Sequence, residues 1–517
     1  MFALRSKSQP KLLPPSKFPL DMPLLNFSAQ ASDAWTLRDA CEGTQVFGAT
    51  GSGKSSGSGQ MIAKAFLRAG FGGLVLCAKP GECEQWLRYG QETDRLHSMV
   101  VFDDSAILRF NFLNYEMRRG ERLVTHNLVN LFLRVGEAAQ PSRGGGGQDD
   151  FWRKAMAEML SFAFLPLYAA YGRIELADLM RLVDSAAQNG EELKSADWRA
   201  SSYCFATIKQ AYESPVFRLP EADMRAVNDY WMTRFPRLSD RTRSSIVATL
   251  TAIAHPFQTG YLRELFCTYT NIVPEMTHEA GLVIILDLPV KEHSEAGVLA
   301  QHIFKYLWQR AAERRVVNET TRPLFLWGDE SQFFVSEYDL EFQSTARSSK
   351  TCTVYMTQSL PTYYAKVGGP KPEHTVNALI GNFQTKIFHQ NTDKATNELA
   401  ADIIGRAWQW TQSHGTSESE GSNSGGGSNW SSGGSSGPQG NSSTSSGGGS
   451  RSWGRSASSG TSHTHSQHVE YEVLPATFSQ LAKGGRGVAP EAIICQGGRA
   501  WRHNAGRYWL RAAFPQG

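Results

Sequence analysis

The chain has 517 residues and carries 52 Lys and Arg against 49 Asp and Glu, a net charge of +3 at neutral pH. That balance excludes a polybasic, histone-like binder, so any nucleic-acid site has to be a local patch or be made by assembly. A hydrophobic share of 41% and a charged share of 20% fit a globular chain of about three domains' length and exclude a fibrous or wholly disordered one.

Residues 1–40 are rich in proline and read as an irregular arm. Arg5, Lys7 and Lys11 are not followed by an apolar stretch, so no secretory signal is expected. Thr44–Phe47 is predicted as a strand. A Gly/Ser turn follows, then a helix whose apolar residues Met61, Ile62, Ala65, Phe66 and Ala69 recur at helical spacing. Leu74–Cys77 and Met99–Phe102 are short apolar runs, read as buried strands. This alternation predicts an α/β, RecA-like fold with a mainly parallel sheet flanked by helices.

From 114 to 256 no strand-like run stands out, and helical spacing dominates, as at Ala155, Met156, Met159 and Leu160 and at Ile246, Leu250 and Ile253. An inserted all-α domain is expected there, with a mobile loop formed by Gly144–Gly147 and Gln148-Asp149-Asp150. The apolar run Phe162–Ala170 is about half a membrane span and holds Pro166, so no bilayer crossing is expected. Strands resume at Leu282–Leu286, Leu324–Trp327, Cys352–Met356, Thr385–Phe388 and Ala492–Cys495. A helix over Ile303, Phe304, Leu307, Trp308 and Ala311 separates the first two. The α/β domain is thus expected over 41–113 and 257–517. Within it, 413–467 is nearly two-thirds Ser and Gly, too polar to bury a core. It is expected to be a long disordered surface insertion, a tether or lid. His463, His465 and His468 close this stretch, and no Cys or carboxylate completes a metal-ligand set with them. The seven cysteines show no C-x-x-C spacing and several sit in apolar runs, which points to buried reduced thiols in a cytosolic protein.

Gly48-Ala49-Thr50-Gly51-Ser52-Gly53-Lys54-Ser55 fits G-x-x-x-x-G-K-[ST] between a predicted strand and a predicted helix. Glycines there let successive backbone N–H groups converge on phosphate oxygens, and the helix adds its positive N-terminal end. Residues Gly48 to Ser56 are therefore the expected nucleotide-binding segment. Lys54 would reach the β- and γ-phosphates and Ser55 would ligate Mg²⁺, so ATP and Mg²⁺ are the implied cofactors.

Such a loop needs an acid at the end of a neighbouring strand for the metal shell and a base that orients water. Leu324–Trp327 is followed by Gly328-Asp329-Glu330, which gives Asp329 the metal role and Glu330 the catalytic one. Asp287 also ends an apolar strand but lacks a second acid and reads as a strand-end residue. Gln358, after the strand Cys352–Met356, stands where a residue sensing the γ-phosphate would lie. Arg347 is a candidate for an arginine reaching a neighbouring subunit's nucleotide, and Arg241 and Arg243 compete for that role.

In these residues the chain resembles the type IV coupling proteins (TraG/TraD-like) of conjugation and type IV secretion, RecA-like ATPases akin to FtsK/HerA-type ring pumps. The resemblance runs in order from about Gly43 to the end. Leu74 to Glu82 resembles the family's strand ending in Asp-Pro-Lys-Gly-Glu, but Cys77 and Ala78 depart from it and the acid is missing. Arg109-Phe110-Asn111-Phe112-Leu113 resembles Phe-Asn-Pro-Leu, with Phe112 in place of proline. The block from Asp329-Glu330 through Ala346-Arg347 to Thr357-Gln358-Ser359 matches most closely. The resemblance implies an ATPase that delivers or pumps DNA or a nucleoprotein into a secretion channel. A hexameric ring would thread the substrate, with Arg118, Arg119 and Arg122 among candidates to grip DNA. A relaxase or effector and a channel or membrane-anchor subunit are the implied partners. The family's usual N-terminal transmembrane helices have no counterpart here, so a cytoplasmic protein, peripheral at the membrane through a partner, is expected. The alternatives are an ATP-gated receptor for protein cargo and a DNA translocase unrelated to secretion.

Overall fold

The computed structural model describes residues 17–117, 125–139, 148–367, 371–437, 440–485 and 487–515. The chain divides into two compact units, Met1–Ile403 with Leu474–Gly517, and Ile404–Val473.

The first unit begins with an antiparallel pair, β1 (Pro23–Asn26) and β2 (Ala34–Thr36), in the segment read as irregular. These strands are too short and their residues too mixed to show a period in the sequence, yet they seat Trp35 and Phe27 in the core. The main sheet comprises β3 (Thr44–Phe47), β4 (Gly72–Leu76), β5 (Met99–Asp103), β6 (Val283–Asp287), β7 (Leu324–Gly328), β8 (Thr351–Thr357) and β9 (Thr385–His389). All of these run parallel, in the order β9-β3-β8-β7-β4-β6-β5.

The central strands are buried on both faces, and alternate residues enter two different cores. Leu74, Leu76, Ile284, Leu286, Leu326 and Tyr355 belong to one. Val75, Val283, Ile285, Phe325, Trp327 and Met356 belong to the other. The helices Gln60–Arg68 and Glu82–Glu92 cover the second face through Ile62, Phe66 and Trp86. The helix Val290–Glu313 covers the first face, with Ile303, Phe304, Leu307 and Trp308 buried. That first core runs on without a break into the helical stretch, where Leu160, Phe164, Trp231, Ile246 and Leu250 join it. Between Phe112 and Phe266 the described residues hold helices and no strand. Gly144–Gly147 of the expected loop and Arg118, Arg119 and Arg122 lie outside the described residues, whereas Gln148-Asp149-Asp150, expected in that loop, instead open the helix Gln148–Tyr171.

The second unit is formed by β10 (Arg406–Gly437) and β11 (Gly440–Tyr471), paired antiparallel from Arg406↔Tyr471 to Gly437↔Gly440. The expectation of a disordered insertion is corrected here. Composition rules out a core, but a ladder can satisfy backbone N–H and C=O groups without one, and small Ser and Gly side chains do not crowd it. At the hairpin base the Arg406 guanidinium lies 4.5 Å from the Tyr471 ring centroid.

Beyond the hairpin, β12 (Glu491–Gln496) and β13 (Trp509–Ala513) return to the first unit and close one edge of the main sheet antiparallel, next to β9. The main sheet thus has nine strands.

Candidate functional site

The loop after β3 is fixed at its start by its neighbours. Gly48 N–H donates to Thr357 O at 3.2 Å, and Ala49 N–H donates to Gln390 O at 2.9 Å. The first two residues are thus pinned to the ends of β8 and β9. Gly51 and Gly53 have φ of +75° and +89°, a region that side chains disfavour. The sequence predicts a helix directly after this loop. The structure places a π turn first, Lys54–Gly59, which continues as the α-helix Gln60–Arg68. Such insertions in helices frequently sit at functional sites. The turn is tied to β9 by Ser58 Oγ, 2.7 Å from His389 Nε2. Burial pushes His389 down to about 3, so its ring is neutral at working pH.

The acids follow β7, which is not hydrogen-bonded to β3, because β8 lies between them. The turn still carries Asp329 to the loop: Ser55 Oγ donates to Asp329 Oδ2 at 2.5 Å. A hydroxyl and a carboxylate converging in this way are hard oxygen donors of the kind Mg²⁺ takes while keeping several waters. Asp329 Oδ1 also accepts the Glu330 N–H at 2.9 Å. Glu330 itself has a φ of +50°, a costly backbone state for a residue with a side chain.

The Glu330 carboxylate is 3% exposed and is ringed by donors. Lys54 Nζ lies 3.6 Å from its Oε1. Lys79 Nζ donates to the same oxygen. Gln332 Nε2 donates to Oε2 at 2.8 Å, and Gln358 Nε2 reaches Oε1 at 3.3 Å. Burial pushes the carboxyl up, but Gln332, Lys54 and Lys79 outweigh it and hold Glu330 down at about 2. It is ionised at any working pH.

Lys79 is the residue that sequence reasoning missed. It lies just after β4, and β4 pairs with β7, so both strand ends open on the same edge of the sheet. A lysine three residues beyond the end of β4 was the available signal, but the sheet order that brings it beside Glu330 is not written in the local sequence. Burial lowers the Lys79 amine and the Asp329 and Glu330 charges more than restore it, so it is held above its ordinary value. Glu82 fixes the loop by accepting the N–H groups of Ala78 at 2.7 Å and Lys79 at 3.3 Å. Burial and the Asp329 charge push Glu82 above the usual carboxylate range.

The remaining candidates stand elsewhere. The Arg347 side chain is 58% exposed and pairs with Glu42 at 3.1 Å. Arg243 is buried and bonds Gln188 at 2.7 Å and Asp240, inside the helical stretch. Arg241 is exposed. Asp287 ends β6, where burial raises its carboxyl. Among the described residues no cluster of three or more His, Cys, Asp or Glu is placed to hold a metal. All seven cysteines are free. Among the described residues no helix is long and apolar enough to cross a membrane.

A parallel sheet with a glycine-rich loop on one strand, and an acid pair two strands over, defines a RecA-like P-loop domain. Residues 323–447, which carry Asp329, Glu330, Arg347 and Gln358, match the family model of the TraM recognition site of TraD and TraG. The fold is similar over nearly the whole chain to the bacterial conjugative coupling protein TrwBdeltaN70 in its unbound monoclinic form. There the TM-score is 0.56 at 12% identity, covering 99% of this chain and 97% of that one. The plasmid coupling protein TrwB in complex with ADP and Mg²⁺ gives 0.55 at 12% identity, covering 98% and 95%. TrwB with a non-hydrolysable ATP analogue gives 0.54 at 12% identity, covering 98% and 96%. No curated protein sequence matches the chain.

Proposed function

We propose that this chain is an ATP-hydrolysing coupling protein that drives DNA, or a nucleoprotein, into a conjugation or type IV secretion channel. The observation that carries the reading is the convergence of Ser55, Asp329, Glu330 and Lys54 at one sheet edge, from strands far apart in sequence. The match of 323–447 to a TraD/TraG segment and the TrwB-like fold support it.

In this reading the amides of Gly48 to Ser56 hold the triphosphate and Lys54 neutralises its β- and γ-oxygens. Mg²⁺, held by Ser55 and Asp329, supplies charge neutralisation of the phosphates when bound. Glu330 stays ionised and holds the attacking water by hydrogen bonding. Gln358, bonded to Glu330, couples that carboxylate to the γ-phosphate position. Arg347, exposed on the surface, is assigned to a neighbouring subunit's nucleotide in a hexameric ring. The helical stretch 114–256 is assigned as an inserted domain that receives a relaxase, accessory protein or effector. A membrane-anchor or channel partner holds the ring at the inner face of the membrane.

The test is the ATPase rate with and without single- and double-stranded DNA. The wild type is expected to be strongly accelerated by DNA. Lys54→Ala is expected to lose nucleotide binding, and Glu330→Gln to keep ATP without splitting it. Acceleration by a protein client with none by DNA would replace the pump with a cargo receptor. Normal turnover in Glu330→Gln would refute the role given to that residue.

A further inference from the structure

The second unit presents two chemically different faces. In an antiparallel pair, directly opposed residues share a face and successive residues alternate. Trp430 is opposite Gly447, Gly426 opposite Arg451, Ser424 opposite Trp453, and Ser422 opposite Arg455. Trp430, Arg451, Trp453 and Arg455 therefore project from one side. On the other side, the residues between 416 and 459 whose side chains are described are Ser and Gly throughout. Ser419 Oγ lies 2.9 Å from Ser458 Oγ, directly across the ladder on that small-residue side.

Among the described residues nothing covers these indoles. Trp430 is 84% exposed and Trp453 is 82% exposed. From the level of Arg455 to that of Trp430 is eight ladder positions, about 27 Å at ~3.4 Å per residue. Along β11 the order on this face is Arg451, Trp453, Arg455, a guanidinium on each side of an indole. Glu418 and Glu420 share the face on the side toward the hairpin base, and their charge bounds the patch there.

We propose that this face of the hairpin is a binding site for single-stranded nucleic acid. Bases stack on Trp430 and Trp453, Arg451 pairs with a phosphate between them, and Arg455 pairs with one beyond Trp453. Stacking on aromatics within a positive track is how sequence-tolerant single-strand binding is achieved. A duplex keeps its bases stacked inward and has none to give. A neutral sugar chain has no use for the two guanidiniums, and an acidic peptide has none for the indoles. The assignment deepens the proposed DNA-handling function, since it names the strand state the protein takes up.

The experiment uses the full chain and a fluorescein-labelled oligo-dT, read by anisotropy at several salt concentrations. Trp430→Ala/Trp453→Ala is expected to weaken binding about 30-fold, the sum of two modest base stacks. Arg451→Gln/Arg455→Gln is expected to lower the slope of log affinity against log salt by about 1.4, at ~0.7 per phosphate contact. DNA-free ATP turnover is expected to be unchanged in both, because none of these residues belongs to the nucleotide site. Wild-type affinity in the Trp variant would overturn the proposal, as would an equal loss for a labelled duplex or no oligo-dT binding by the wild type. Each of these outcomes leaves the coupling function testable on its own, because duplex-stimulated ATPase activity is read separately in the same samples.

Discussion

Replacing Lys79 with Met keeps the length of the side chain and removes its charge. In the structure Lys79 Nζ donates to Glu330 Oε1, and Lys54 lies 3.6 Å from that oxygen. A hydrogen bond to an ionised partner contributes roughly 1.5–3 kcal/mol. The Lys79 side chain is 34% exposed, so solvent screening reduces this to about 1–2 kcal/mol. If the bond holds the carboxylate where it orients water, that range corresponds to a fall in kcat of roughly 5- to 30-fold, at 1.36 kcal/mol per tenfold. KM should change less than about threefold, and Lys79→Arg should recover most of the rate. The decisive assay is a double-mutant cycle with Glu330→Gln, scored by urea unfolding, with single-turnover hydrolysis read on the Lys79 variants alone. Lys79→Met should cost about 1–2 kcal/mol of stability in the wild-type background and little in the Glu330→Gln one. Equal effects in the two backgrounds, or a loss confined to KM, would refute a role exerted through Glu330. The pH dependence has a definite sign. Glu330 falls from 4.5 to about 2, so its stabilisation is complete above about 4.5 and is lost as pH drops toward 2. Lys79→Met should shrink that acid-side loss.

Gly53→Ala places a Cβ at φ +89°, which costs roughly 1–2 kcal/mol and turns the loop amides away from phosphate. Affinity for a fluorescent ADP analogue should fall at least tenfold, and an affinity within twofold of wild type would contradict the cradle. Ser58→Ala leaves buried His389 Nε2 without its 2.7 Å partner and should cost roughly 1–3 kcal/mol, read as a lower urea midpoint. His389 falls from 6.5 to about 3, so the unfolded chain takes the proton first and stability declines as pH drops below about 6.5. His389→Asn should show a shallower decline between pH 6.5 and 4. Excising 407–470 is expected to leave ADP binding and the melting midpoint unchanged. Glu472 N–H donates to Gly405 O at 3.0 Å, so a short linker closes the gap. Loss of folding on excision would show that the hairpin supports the first unit.

Local signals made the P-loop and the acid pair legible. Gly48 to Ser55 is contiguous, and Asp329-Glu330 directly follows an apolar run. The central strands announced themselves as apolar runs because both their faces are buried. What could not be read depended on pairing at a distance. Lys79 meets Glu330 across 251 positions, through β4 lying beside β7. The insertion of β8 between β3 and β7 is likewise a matter of sheet order. The hairpin escaped notice for a different reason. Its composition reports the lack of a core, whereas its order comes from backbone pairing, to which composition is nearly blind.

The unbroken core beneath the sheet has a mechanical consequence. Interiors packed to crystal-like density transmit displacement and do not absorb it. Tyr355 on β8, Leu326 on β7 and the helix Val290–Glu313 share one apolar mass with Leu160, Trp231 and Leu250. A shift of either strand end by a fraction of an ångström would therefore be passed into the helical stretch through this shared packing.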